Sequence, residues 1–536
     1  MAGSTSLPRR ALRAALVLVV TGAALGLVPL RPGAAAPETV LRAVAVEARS
    51  LLPRTEGRAV ALVSDEAVRA ATAARTARVP VCSPIWFDGV ALTWDQAAGP
   101  AVSALVATSP DGRSYGRGML VDAEGGADPG TPEYRPSRQG SSYLWTGGSR
   151  CVRFSMALPK GARVWNVRVL FINSSGTAAG PGTGPTDAGP VAVGAPAGPF
   201  APSPAEALTR RPRIITRDQW GADPRLMNCT PLVADVLKIG FVHHTAGTNS
   251  YTRDQADDVV RGVYAYHTNG RGWCDIGYNF LVDRFGDVFE GRSGGVTSNV
   301  IGAAQMGFNT GAFSVSVMGN FGAAPLPEAA LRVLERVLAW RLDVGHVNPA
   351  ARAVMVSAGG DTTKYAAGAA VRLRTISGHR DTGITACPGR YLYSLLPRIR
   401  SSVAAMGLPK IYKPGLSTTS VVIGQPADVR IRATGSTSMR WTVTILDPAG
   451  GVFAAFPTLG GQAIDVLWPA GDPTAQPTVL GDYQVVISAT DAEGAVARLA
   501  SLTLSVLPVP PPSPSPTPSA SPSPTVSPSP TTSPSP

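Results

Sequence analysis

Only five histidines occur in the 536 residues, at positions 243, 244, 267, 346 and 379. His243 closes an apolar run in Phe241-Val242-His243-His244-Thr245, and His379 lies in Ser377-Gly378-His379-Arg380-Asp381. Cys387 follows in Thr385-Ala386-Cys387-Pro388-Gly389. Two imidazoles and a thiolate are a reasonable set for a catalytic zinc, which takes three protein ligands and keeps a fourth position for water. On ligand types alone the set is weakly specific. Isolated histidines more often sit satisfied in a core or on a surface, and two His with one Cys can arise by coincidence.

The cysteines sharpen the reading. Arg9, Arg10 and Arg13 precede an apolar run from Ala14 to Leu30, and Ala34, Ala35 and Ala36 follow it, so residues 1–36 read as an export signal with the mature chain starting near their end. Gly22, Gly26 and Pro29 interrupt the run, which favours a cleaved signal over a permanent anchor. The paired arginines allow a twin-arginine route. Thiols of exported proteins tend to pair, yet the five cysteines are Cys82, Cys151, Cys229, Cys274 and Cys387, an odd count. If Cys82 pairs with Cys151 and Cys229 with Cys274, each bridge stays inside one proposed domain and Cys387 is left for another use.

The elements that would position these residues follow from hydrophobic periodicity. Residues 213–407 alternate strand-like and helix-like segments, which points to an α/β domain with a mixed sheet flanked by helices. Leu237 to His243 reads as a strand. Thr252 with Gln255 makes a capping box before Ala256, Val260, Val263, Tyr264 and His267 at helical spacing. Asn279 to Asp283 and Val288 to Phe289 flank a turn, Phe313 to Met318 gives a further strand, and Leu331, Leu334, Leu338 and Leu342 mark one face of a long helix. A last helix is expected from Tyr391 to Met406.

Around this domain, residues 37–80 are Ala-rich and read as helical or loosely ordered, and residues 81–173 as a small β domain. A Gly/Pro/Ala-rich linker spans 174–212. Period-two segments within 414–507 predict an Ig-like β-sandwich. Residues 508–536 contain only Pro, Ser, Thr, Ala and Val and predict a disordered, extended tail. A hydrophobic fraction of 44% with 16% charge excludes a solvated disordered polymer. Arginine carries almost all of the net charge of +12, since only Lys160, Lys238, Lys364, Lys410 and Lys413 are lysines. Scattered arginines without a basic helix argue against nucleic acid, whereas an anionic wall polymer would attract such a chain.

From Arg213 to Met406 the sequence resembles the peptidoglycan recognition protein and type-2 N-acetylmuramoyl-L-alanine amidase family, the group that includes bacteriophage T7 lysozyme. The stretches that carry the resemblance are Gln219-Trp220-Gly221-Ala222, Val242-His243-His244-Thr245-Ala246, Gly272-Trp273-Cys274-Asp275-Ile276-Gly277-Tyr278-Asn279-Phe280, Phe289-Glu290-Gly291-Arg292, Gly307-Phe308-Asn309, and Gly378-His379-Arg380-Asp381 with Cys387-Pro388-Gly389. They occur in the family's order. The arrangement of flanking domains is similar to that of secreted actinobacterial amidases.

The resemblance implies that His243, His379 and Cys387 bind zinc, with Tyr278 over the metal and Thr385 where active relatives carry Lys or Thr. It implies substrate contacts from Trp273, Arg292, His244 and Asn309, with His244 in a supporting rather than ligating role. Cys229 and Cys274 are read as a disulfide. The implied activity is zinc-dependent hydrolysis of the amide between N-acetylmuramic acid and L-alanine, by a monomer exported to the cell wall, without nucleic acid or a stable membrane anchor. Two departures matter: relatives commonly read Gly-Ala-His where this chain has Gly302-Ala303-Ala304, and Gly272-Trp273 resembles a pair associated with diaminopimelate-type stems, whose extra carboxylate Arg292 would meet. One rival is a recognition protein that holds muropeptide without cutting it; another is a cysteine peptidase using Cys387 with His379, which leaves His243 unexplained.

Overall fold

The computed structural model describes residues 37–46, 79–96, 102–136, 138–158, 162–180, 209–425, 427–469, 472 and 475–510. The expected export signal and the Pro/Ser/Thr tail from residue 511 onward lie outside the described residues, as does most of the proposed linker.

The first domain is a sheet of seven strands: β1 (Val40–Val46), β2 (Val79–Gln96), β3 (Ser103–Ser109), β4 (Met119–Val121), β5 (Arg138–Gly140), β6 (Leu144–Ala157) and β7 (Val164–Asn173). They run in the order β1-β7-β2-β6-β3-β4, with β5 on β2. The expectation of helix or loose chain at 37–80 is therefore corrected for Val40–Val46. Its Val-rich stretch pairs antiparallel with β7 from Val40 opposite Asn173 to Val46 opposite Val167, because β-branched residues fit a pleated edge. Cys82 and Cys151 sit opposite each other on β2 and β6 and are bonded. One face of the sheet closes over Phe87, Leu92, Trp94, Phe154 and Phe171. From the other face Tyr143, Trp145, Leu170 and Ile172 pack against the next domain.

That domain is built on a five-stranded sheet, β8 (Ile239–His244), β9 (Phe280–Val282), β10 (Val288–Glu290), β11 (Ala312–Val317) and β14 (Ile376–Gly378), in the order β10-β9-β11-β8-β14. A separate hairpin joins β12 (Arg352–Val356) to β13 (Ala370–Arg374). β8 lies between two parallel neighbours and every one of its residues is buried, which is why it reads as a continuous apolar run rather than an alternation. The helices are α1 (Ala256–Ala265), α2 (Glu328–Val344) and α3 (Arg390–Ala405). The capping box forms at Thr252 and Gln255. Leu331, Leu334, Leu338 and Leu342 of α2 and Leu392, Leu396, Ile399 and Val403 of α3 are all within 2% of full burial. Each such side chain contributes roughly 1.5–3 kcal/mol through burial, so the two helices are held by packing.

The last domain comprises β15 (Ile411–Leu416), β16 (Ser420–Val422), β17 (Asp428–Leu446), β18 (Val452–Ala455), β19 (Leu459–Pro469), β20 (Gly481–Thr490) and β21 (Ala500–Leu507). The period-two stretches at 428–434 and 440–446 belong to one strand of 19 residues. It pairs with β19, shifts register between Thr434 and Met439, and goes on to pair with β20. Its inward residues close on Trp468, Tyr483 and Ile487. Among the described residues no helix is long and apolar enough to cross a membrane.

Candidate metal centre and groove

The alternation of a strand sends adjacent side chains to opposite faces, and β8 uses this on its last two residues. His243 and the start of the segment after β14, His379, bring their rings to 4.7 Å between centroids. Cys387 reaches them from the turn before α3, its Sγ 3.8 Å from His243 Nδ1. One ligand atom each from His243, His379 and Cys387 fall within 4.8 Å of one another. The three residues could hold a metal ion, and all are buried, 1%, 4% and 7% exposed.

Burial sets their protonation. It pushes the His243 imidazole well below its ordinary range, aided by His379 and His244, and holds His379 down at about 4. Both rings are thus neutral, the form that ligates a metal. Burial raises the Cys387 thiol, so a thiolate there needs a positive charge beside it. His243 Nε2 is buried without a hydrogen-bond partner, a vacancy that costs about 1–3 kcal/mol unless something accepts or donates there. A divalent cation held by the three side chains would supply the positive charge that the thiolate needs.

His244 turns to the other face. Its Nδ1 accepts from Phe321 N–H at 3.1 Å, and burial holds its pKa down at about 3. It buttresses the loop after β11 while its own backbone N–H points at Cys387 Sγ, 3.3 Å away. Thr385, read as catalytic, accepts the backbone N–H of Cys387 at 3.1 Å and so orients the ligand turn.

Tyr278 stands beside His243, ring centroids 5.5 Å apart. Burial and the neighbouring Glu124 push its phenol well up, so the hydroxyl stays a donor. It donates to Glu124 Oε1 at 2.8 Å. His267 lies in the π-helical turn Tyr266–Gly270 that ends α1. It accepts from Gly277 N–H at Nδ1, 3.0 Å, which leaves Nε2 to donate to the same Glu124 oxygen at 3.1 Å.

The other residues singled out from sequence, Trp273, Arg292 and Asn309, are buried as well. Trp273 packs with Ala127 and Ala303 under the Arg271 guanidinium, 4.5 Å from its ring. Arg292 is paired with Glu133. Asn309 donates to Asp128 at 2.7 Å and to Gly126 O at 2.9 Å. Cys229 and Cys274 are bonded, and Cys387 is the free cysteine. Sequence reasoning missed Glu124, Asp128, Glu133 and His267. The histidine was visible only as one more position at helical spacing. The carboxylates sit in Asp122-Ala123-Glu124-Gly125-Gly126-Ala127-Asp128, an acidic, glycine-containing stretch that names no partner.

A five-stranded mixed sheet carrying a buried His, His, Cys cluster beside a tyrosine defines a site that could hold a metal ion. Residues 235–390 match the family described as N-acetylmuramoyl-L-alanine amidase. Peptidoglycan recognition protein 1 of Bos taurus is 31% identical over 184 residues, which are 34% of this chain and 82% of that protein. Peptidoglycan-recognition protein SC2 of Drosophila melanogaster is 29% identical over 181 residues, 34% of this chain and 83% of that one. Among solved structures, human PGRP-IBETAC in complex with glycosamyl muramyl pentapeptide is 26% identical, covering 35% of this chain and 95% of that chain with a TM-score of 0.28. The chain belongs to the peptidoglycan recognition protein and type-2 amidase family. Both flanking β domains lie outside the matched region.

Proposed function

We propose that the protein is a zinc-dependent N-acetylmuramoyl-L-alanine amidase acting on bacterial peptidoglycan. The observation that carries this reading is the convergence of His243, His379 and Cys387 within 4.8 Å, beside a tyrosine whose hydroxyl is kept protonated. A site that only recognises peptidoglycan has no chemical need for a thiol and two neutral imidazoles. His243, His379 and Cys387 would hold the zinc, which would supply an activated water and polarisation of the scissile carbonyl.

The chain's own groups do the rest. Tyr278 offers its O–H to the oxygen on which charge develops as the amide carbon is attacked. His267, fixed in its tautomer by Gly277, offers a second N–H a hydrogen bond away from the same point. His244 and Thr385 hold the ligand-bearing turns. Trp273, Arg292 and Asn309 line the groove and are the groups to contact the glycan-stem substrate; a guanidinium is suited to a stem carboxylate through paired hydrogen bonds. The two disulfides fit an exported, wall-associated protein.

The recognition-only alternative is favoured by one observation: the similar proteins from Bos taurus and Drosophila are named for recognition. Incubating the zinc-loaded full chain, at concentrations comparable with a soluble muramyl pentapeptide, separates the two. Release of free stem peptide beginning with L-alanine, lost on chelation and restored by zinc, is expected. Intact muropeptide after prolonged incubation, with tight binding, would leave a receptor. A thiol peptidase would survive chelation, and the raised thiol of Cys387 already makes it a poor nucleophile.

A further inference from the structure

A groove that takes a sugar-peptide must be open to it, yet here Trp273, Tyr278, Arg292 and Asn309 are each 4% exposed or less. What covers them is the chain itself. Residues 122–133, part of the connection between β4 and β5 of the first domain, meet Tyr278, Trp273, Asn309 and Arg292 through Glu124, Ala127, Asp128 and Glu133. Glu124 takes the hydroxyl of Tyr278 and the imidazole of His267 on one oxygen, with Arg271 3.6 Å from the other. Gly125 passes so close that a Cβ on it would lie 2.2 Å from the Ala304 carbonyl oxygen and 3.1 Å from His379 Cε1. Its carbonyl accepts from Arg271 Nη2 at 3.2 Å. Asp128 collects the backbone N–H of Gly307 at 2.7 Å and the amide of Asn309. Glu133 accepts from Cys274 N–H at 3.1 Å and pairs with Arg292.

Three successive carboxylates of one domain thus occupy the donors that line the groove of another. The contact is not incidental to a loose neighbour, because Tyr143, Leu170 and Ile172 of the same β domain bury against Val260, Val263 and Tyr266 of the α1 region. We propose that residues 122–133 are an intramolecular stopper, an autoinhibitory segment that stands in for an acidic substrate and must leave before a muropeptide reaches His243, His379 and Cys387. This rests on the amidase reading for its consequence in turnover, but not for its consequence in binding. The competing role for Glu124, a catalytic carboxylate lent by the first domain, predicts the opposite sign when it is removed.

The test uses the full chain and two variants that alter the segment alone. Gly125→Val places a side chain against a backbone carbonyl and forces the strap out; the triple variant Glu124→Gln, Asp128→Asn, Glu133→Gln removes the charges and keeps the shapes. Binding of a soluble muramyl pentapeptide is measured by calorimetry on zinc-stripped protein, and its hydrolysis on zinc-loaded protein, with thermal melting to confirm folding. The expected result is at least about tenfold tighter binding and about tenfold faster hydrolysis for both variants relative to the parent. If Gly125→Val does not fold, the triple variant decides. Parent and variant binding with equal affinity, or variants that lose turnover, would overturn the stopper. Tighter binding by the variants with no hydrolysis by any of the three proteins would keep the stopper and sink the amidase reading.

Discussion

His243 and His244 are neighbours in sequence and opposite in fate, since one faces His379 and Cys387 and the other the loop at Phe321. Replacing Cys387 with Ser is expected to lower zinc from ~1 to under ~0.1 per chain, read by elemental analysis after gel filtration, because a hydroxyl is a poor substitute for a thiolate ligand. Tyr278→Phe, made in the Gly125→Val background so that the groove is open, is expected to lower kcat about 10²-fold with little change in KM, the signature of a donor felt at the transition state. His244 has a folded-state pKa of about 3 against an ordinary value near 6.5. The unfolded chain therefore takes up this proton first, and stability present above about pH 6.5 is lost as pH falls towards 3. Relative to His244→Asn, the parent should lose about 1 kcal/mol per pH unit in that window, measured by urea unfolding at several pH values. The convergence of His243, His379 and Cys387 was legible through the family-like motifs they lie in, since on residue types alone the set was weakly specific. Glu124 was not, because a carboxylate acquires a role here only from Tyr278 and His267, more than a hundred residues away.

At the scale of elements, β8 shows why the site and the core cannot be altered separately. Gly240 lies two residues before Val242, and a Cβ on it would stand 2.8 Å from the Phe313 ring and 3.3 Å from Leu338. Gly240→Val should destabilise by about 1–3 kcal/mol through overpacking. Because the same strand carries His243, it should also weaken zinc retention, whereas a comparable loss from Val403→Ala in α3 should not; melting and metal analysis on the two variants check this. The buried strand β8, the hairpin of β9 and β10, the capping box and the leucine face of α2 were all readable, since periodicity and capping are local signals. β1 was not, for an alanine-containing stretch becomes a strand only when β7 offers it an edge. Nor was the continuity of β17, whose first half pairs with β15 and second half with β20 while β19 follows both across a shift in register.

At the scale of the whole molecule, the net charge of +12 leads to a salt test. Retention on purified cell walls should fall steeply between 0.1 and 1 M NaCl, as the screening length shrinks from about 10 Å to about 3 Å, while the melting temperature changes little. Binding indifferent to salt would assign wall attachment to the groove or the β domains instead of the charge.

Finally, the docking of Tyr143, Leu170 and Ile172 beside α1 means that the acidic strap and the groove it fills belong to one polypeptide. A soluble rival must therefore outcompete a guest that never diffuses away and whose effective concentration is on the order of millimolar. Severing the peptide backbone anywhere between residues 180 and 209 would turn that permanent guest into an ordinary dissociable inhibitor. Latency would then depend on dilution, strong in a crowded droplet of protein and fading as the two pieces spread apart.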